Sequence, residues 1–333
     1  MQIILRNFRK PVLVGFILCG VLSSAPTIWR RYRDHKRIRI AVIPRTTGIG
    51  PWEPIHRGAD AVAAKVGAEV YWNAPTREDD VEAQIALVDQ VVQRGYQGVV
   101  LAPDQSLALI TPVRRALARG IPVVVVSSQL PMPGGDNLAY LVNDDEIAGR
   151  LAAERVAMLL GGKGSVALLG VNPDIFGIMI RARSFELFLT QNYPAIHVVK
   201  RRGAFNTLHE QQTAEEVLKS NPEVKVMVGL MWASARGAIA AIRVHRPLQR
   251  TQVIGFDPDE VPFEIDTLDS LVMQNSLAMG EQAIGLIAAR RNGKPMPALI
   301  KFAPALVTRE NVATEPVRRL TEMYWRLGIQ DQK

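Results

Sequence analysis

Three segments of this chain are apolar at nearly every position: IRIAVI (38–43), GVVLAP (98–103) and IPVVVV (121–126). A strand with one wet face alternates apolar and polar residues, so runs like these belong to strands buried on both faces. Amphipathic stretches separate them. Residues 55–67 set Ala59, Val62, Ala63 and Val66 at helical spacing, and from Arg77 to Arg94 acidic residues lead a face of Val81, Ile85, Val88 and Val92. With a strand at 70–72 and a helix at 106–119, the first half reads as repeating strand–helix units.

The pattern continues with helix 145–160, strand 165–169, helix 178–191, strand 196–200 and helix 207–219. Strand 224–229, helix 233–245, strand 252–256 and a helix over 277–291 follow, and the tail predicts a further helix over 315–327. Such alternation predicts parallel sheets covered by helices on both faces. About ten strands are too many for one comfortable open sheet. The fold class predicted is α/β, with two doubly wound lobes.

The formal net charge of +8 suggests a nucleic-acid partner until it is located. Residues 1–37 hold eight basic side chains against Asp34, and the other 296 residues carry 32 basic and 31 acidic ones. No basic domain remains, so no nucleic acid is expected. Between Lys10 and Arg30 lie 19 uncharged residues. As a helix they would reach about 28 Å, close to the apolar thickness of a bilayer. Residues 1–37 therefore predict a signal peptide or membrane anchor. Ser23-Ser24-Ala25 offers small residues for cleavage, but Pro26 would follow the cut, which favours an uncleaved anchor through residues 11–29.

Several chemistries are excluded by spacing. Gly161-Gly162-Lys163-Gly164-Ser165 lacks the first glycine and the Ser or Thr after lysine of a phosphate loop, and it precedes a strand rather than a helix. His209-Glu210 begins a zinc-protease pattern, but Thr213 stands in place of the second histidine. The single cysteine, Cys19, lies in the apolar leader. No enzyme, cofactor or metal site is predicted.

Open α/β sheets bind ligands outside the carboxyl ends of their strands. Those loops fall at 44–54, 103–106, 127–138, 170–181, 201–206, 230–234 and 257–262, and they carry Trp52, Glu53, Asp104, Ser127, Ser128, Asp174, Arg181, Phe205, Trp232 and Asp257. Rings and polar groups on separate segments suit a binding cleft. Each has a plainer reading too. Trp52 can staple the first helix to its sheet, Phe205 and Trp232 can be core, Asp257 and Asp104 can cap helices, and Arg181 can pair with Glu186.

PWEPIHRGAD (51–60), GVVLAPDQ (98–105), RGIPVVVVSS (119–128), LVNDDEIAGRLAAE (141–154), GGKGSVALLG (161–170), NPEVKVMVGL (221–230) and VIGFDPDE (253–260) occur in the order seen in one family. Over residues 38–310 the chain resembles type I periplasmic binding proteins of the sugar-binding, ribose-binding-like group, the receptors of ABC importers. The resemblance implies lobes of 38–143 with 275–302 and of 144–274 with 303–333. They would be joined by crossings near Asn143–Asp144, Gln274–Asn275 and Phe302–Pro304. It implies a carbohydrate or similar small polar ligand, hinge closure, an ABC permease as partner and an extracytoplasmic place. The basic rear flank of the leader, by charge counting alone, argues for the opposite orientation.

By position in the family, Trp52 and Glu53 match a pair that is often aromatic, and Ser127 and Ser128 match an Asp-Arg pair. Arg181 matches the arginine opening a cleft helix, and Phe205 the far aromatic wall. Met231 and Trp232 match an Asn-Asp pair, Asp257 an aspartate and Gln274 a hinge glutamine. These are the ligand-binding residues the resemblance implies. Glu53, the two serines, Met231 and Trp232 depart from the family pattern and imply a less densely polar pocket. A membrane-anchored sensor that signals to a partner is the alternative, and a cytoplasmic regulator of the lactose-repressor type lacks its helix-turn-helix before residue 38.

Overall fold

The computed structural model describes residues 37–47, 52–245, 250–256, 266–318 and 320. The apolar segment 11–29, Asp257 and most of the tail helix expected at 315–327 lie outside them.

The first sheet contains β1 (Ile38–Ile43), β2 (Ala68–Trp72), β3 (Gly98–Leu101), β4 (Val123–Val126) and β5 (Leu138–Asn143). The second contains β6 (Gly164–Val171), β7 (Ile196–Arg202), β8 (Val224–Gly229), β9 (Gln252–Phe256) and β10 (Leu268–Met273). The last two strands, β11 (Leu299–Phe302) and β12 (Ala305–Thr308), are divided between them. The orders are β11-β5-β4-β3-β1-β2 and β12-β10-β9-β8-β6-β7. Each sheet is covered on both faces by buried apolar clusters, as the continuously apolar strands require.

Every pairing is parallel except β12 on β10, so the second sheet is mixed rather than wholly parallel. The cause is the connection. β11 ends level with the carboxyl end of β5, and after only Ala303 and Pro304 the chain enters the second sheet at the carboxyl end of β10. A strand that starts there must run opposite to β10.

Eight helices lie wholly within the described residues: α1 (Glu53–Val66), α2 (Val81–Gln93), α3 (Ile110–Ala118), α4 (Asp145–Leu160), α5 (Phe176–Asn192), α6 (Thr207–Ser220), α7 (Trp232–His245) and α8 (Ser276–Arg291). The chain passes between sheets after β5, after β10 and between β11 and β12. At the first two passages a cap starts the next helix at once. Asp144 accepts from the Ile147 N–H (3.1 Å) and Asn275 from the Ala278 N–H (3.2 Å). The second passage returns α8 to the first lobe, where it lies directly on α1. A Cβ at Gly58 would strike the Leu277 carbonyl, and one at Gly280 the Ile55 carbonyl, so glycine at both permits this approach. At the far end of the second lobe Val317 and Leu320, from the start of the tail, join the buried cluster.

Candidate ligand-binding cleft

The loops at the carboxyl ends of the two sheets meet in a cavity with an empty volume of about 580 Å³, partly open to solvent. Gln84 on α2 fixes its floor in the first lobe. This fully buried amide donates to the carbonyls of Pro44 (3.2 Å) and Ala102 (2.9 Å) and accepts from the Asp104 N–H (2.9 Å), tying the loops after β1 and β3 together.

Trp52 stands immediately before α1 and is 6% exposed. Its indole N–H donates to Glu78 Oε1 at 2.8 Å. From the other lobe, the indole N–H of Trp232, at the start of α7, donates to Glu78 Oε2 at 3.4 Å. One buried carboxylate thus accepts an indole N–H from each lobe. Beside it Arg45 donates from Nε to the Pro103 carbonyl (3.0 Å), and its guanidinium carbon lies 5.5 Å from the Trp52 ring and 5.2 Å from the Phe205 ring. These are cation–π distances to one ring from each lobe.

Phe205 is presented by a tight turn. Gly203 N–H donates to the Val171 carbonyl (3.1 Å), Ala204 N–H to Glu210 Oε1 (2.5 Å), and Asn206 caps α6 by accepting from the His209 N–H (3.1 Å). Glu210 is fully buried, and burial raises its pKa, with the Ala204 N–H and the Ser234 hydroxyl offsetting part of the rise.

Arg181 forms the charged wall on the second lobe. Its Nε donates to Asp145 Oδ1 at 2.6 Å, a terminal nitrogen donates to the Leu230 carbonyl at 2.9 Å, and the guanidinium lies 4.9 Å from the Phe256 ring. Both ion-pair partners are 5% exposed. The surface pairing of Arg181 with Glu186 does not form; Glu186 pairs with Lys200 at 2.8 Å.

Of the ten residues singled out from sequence, Trp52, Ser127, Arg181, Phe205, Met231, Trp232 and Gln274 line this one cavity. Glu53 and Ser128 do not. Glu53 is turned along α1, where it meets Arg57 (3.1 Å) and His56 (3.6 Å), because the residue after Trp52 on a helix points about 100° away. Ser128 is buried toward a neighbouring hollow behind Gly177. Ser127 reaches the cleft with φ of 64°, a left-handed conformation costly for a residue with a Cβ. Asp257 lies outside the described residues; within them Arg181 pairs with Asp145.

Arg45, Glu78 and Asp145 were not singled out from sequence. Arg45 and Glu78 join Arg181 in the lining, and Asp145 pairs with Arg181 from the neighbouring hollow, so the cleft is more charged than the serines and Met231 alone suggested. Asp104 is no helix cap either: α3 begins at Ile110 behind Leu109, with no side-chain cap.

Two α/β lobes, three connecting segments and a cavity lined from both sides define a two-lobed binding protein. The chain belongs to the periplasmic binding protein domain family, whose model matches residues 40–295. It is 25% identical over 268 residues to the D-allose-binding periplasmic protein of Escherichia coli K12, covering 77% of this chain and 86% of that protein. It is 26% identical over 312 residues to the xylitol-binding protein of Mycolicibacterium smegmatis, covering 91% and 80%. Among solved structures, an ABC transporter solute binding protein from Agrobacterium vitis with bound D-fucose is 25% identical, with a TM-score of 0.78 over 85% of this chain and 99% of that one. Family membership implies an extracytoplasmic domain. Among the described residues no helix is long and apolar enough to cross a membrane.

Proposed function

We propose that this protein is a solute receptor that captures a carbohydrate between its lobes and presents it to an ABC importer. The observation that carries this reading is a cavity lined from both lobes, with Trp52 and Ser127 on one side and Arg181, Phe205 and Trp232 on the other. Trp52 and Phe205, one from each lobe, line the same cavity, and two such rings suit a flat body with apolar faces and polar edges. A sugar ring fits that description: its C–H faces bury against aromatic rings while its edge hydroxyls remain for charged and amide groups. Gln274, 6% exposed and without a hydrogen bond to another described residue, is the amide on this reading. Relatives named for D-allose and xylitol, and the neighbour holding D-fucose, support the same class.

The lobes on this reading are 38–143 with 275–302 and 144–274 with 303 onward, turning about the passages at 143–144, 274–275 and 302–304. A ligand touching both lobes favours the closed arrangement by its differential affinity for it. An uncleaved 11–29 segment would tether the receptor to the membrane, which intact-mass measurement of the mature chain checks.

A thermal-shift screen against monosaccharides, polyols and nucleosides tests the reading, since a ligand bound only by the folded state raises the melting temperature. A sugar that raises it should also compact the protein in small-angle scattering. Nucleosides alone raising it, or saturation without compaction, would refute this account.

A further inference from the structure

A second interlobe cavity, with an empty volume of about 860 Å³, opens on the far side of Phe205 from the main cleft. Asp104 lines it from the first lobe and is 4% exposed, yet neither carboxylate oxygen has a well-formed hydrogen-bond partner among the described residues. Its backbone is held by Gln84. Exposed Asp79 and Asp174 line the cavity from opposite lobes, and exposed Arg202 is the one basic side chain lining it. Glu78 and Arg45 act on Asp104 from the main cleft; Arg45 already donates to Pro103 and lies over two rings. Asp79 holds a left-handed backbone with φ of 75°, a strained conformation of the kind that clusters at binding sites.

A buried carboxylate whose one nearby donor, the Asp79 N–H, offsets only part of its burial is costly unless something supplies another. Hydroxyls alone can do so, but three lining carboxylates against one guanidinium favour a cation. We propose that this cavity is a second subsite of the cleft that receives a protonated amino group of the ligand, which narrows the ligand to amine-bearing carbohydrates. The proposal rests on the carbohydrate reading above and deepens it. A ring lying against Phe205 has its substituents at the rim that the two cavities share, so one small molecule can span both.

Matched pairs test it: glucosamine with glucose, galactosamine with galactose, and the glucosamine disaccharide with cellobiose, titrated calorimetrically near neutral pH into the intact chain. An amine meeting a carboxylate in a partly dry site should bind roughly ten- to a hundred-fold more tightly than its hydroxyl counterpart in at least one pair. In Asp104→Asn that ratio should fall to about one. Neutral and amine members bound equally by the natural protein, or a preference that survives Asp104→Asn, would overturn the subsite and leave the carbohydrate reading standing. Binding of neither member in any pair would overturn both.

Discussion

Replacing Asp104 by asparagine should stabilise the ligand-free protein, increasingly so as pH rises. Burial raises the pKa of this carboxyl from 3.8 to about 7; Glu78 and Asp79 add to the rise, and Arg45 and the Asp79 N–H oppose it. In the unfolded chain the group loses its proton near its ordinary value, so between the two values the native state binds more protons. Stability is therefore greatest below the unfolded value, declines as pH climbs to about 7 and levels off above it. About three pH units at roughly 1.4 kcal/mol each set an upper bound of about 4 kcal/mol. Asp104 borders an interlobe cavity, where water entry or lobe opening rehydrates it, so about 1–2 kcal/mol is the expected penalty. Asparagine keeps the shape and removes the charge. Urea or thermal unfolding at intervals from about pH 4 to about pH 9 should show the gap between natural and variant proteins widening up to about pH 7 and holding at roughly 2–6 °C above it. Glu210, also raised by burial, titrates in both proteins and cancels in the difference. Parallel profiles, or a variant less stable in base, would show that the carboxyl is solvated or partnered and refute the argument.

Arg181→Met should cost about 3–5 kcal/mol in urea unfolding because it strands buried Asp145, and the double variant Arg181→Met/Asp145→Leu should recover much of that loss; equal costs for single and double variants would deny the coupling. Trp232→Phe keeps the ring but removes the indole N–H shared across the lobes with Glu78, so scattering of the ligand-free protein should report a more open average than the natural chain. Glu210→Ala deprives the Ala204 N–H of its acceptor and loosens the turn carrying Phe205; sugar affinity should fall several-fold at a stability cost of about 1–3 kcal/mol, and undiminished affinity would free Phe205 from the site.

The strands with the strongest burial were the legible ones. IRIAVI, GVVLAP and IPVVVV became β1, β3 and β4, buried on both faces of the first sheet. β5, β10, β11 and β12 escaped notice for separate reasons. β10 carries Asp269, which Arg155 neutralises from α4 at 2.7 and 2.8 Å, so its polar residue is satisfied by a partner distant in sequence. β11 and β12 are only four residues long, and β11 alternates exposed and half-buried positions as an edge strand does. β5 follows directly on Pro131, Pro133, Gly134, Gly135, Asp136 and Asn137, whose turn signal masks its start.

The site divides along a different line. Rings such as Trp52, Phe205 and Trp232 stand out at strand ends, because bulky aromatics in loops need a surface to cover. The two acids, Glu78 and Asp145, were harder, and for a common reason: they stand in runs of acids at helix starts. Glu78, Asp79 and Asp80 all resemble the acidic lead of α2, yet only Asp80 caps it, accepting from the Ala83 N–H at 3.1 Å. Of Asp144 and Asp145, likewise, only the first caps α4. The macrodipole favours every acid in such a run by a few tenths to about 1 kcal/mol and cannot rank them. What turns Glu78 inward is a pair of indole donors, and what turns Asp145 inward is Arg181, each supplied by residues far along the chain. A non-capping acid of such a run is therefore where a charged site residue hides here, and each of the two runs holds one at the cleft: Glu78 in its lining and Asp145 bonded to Arg181.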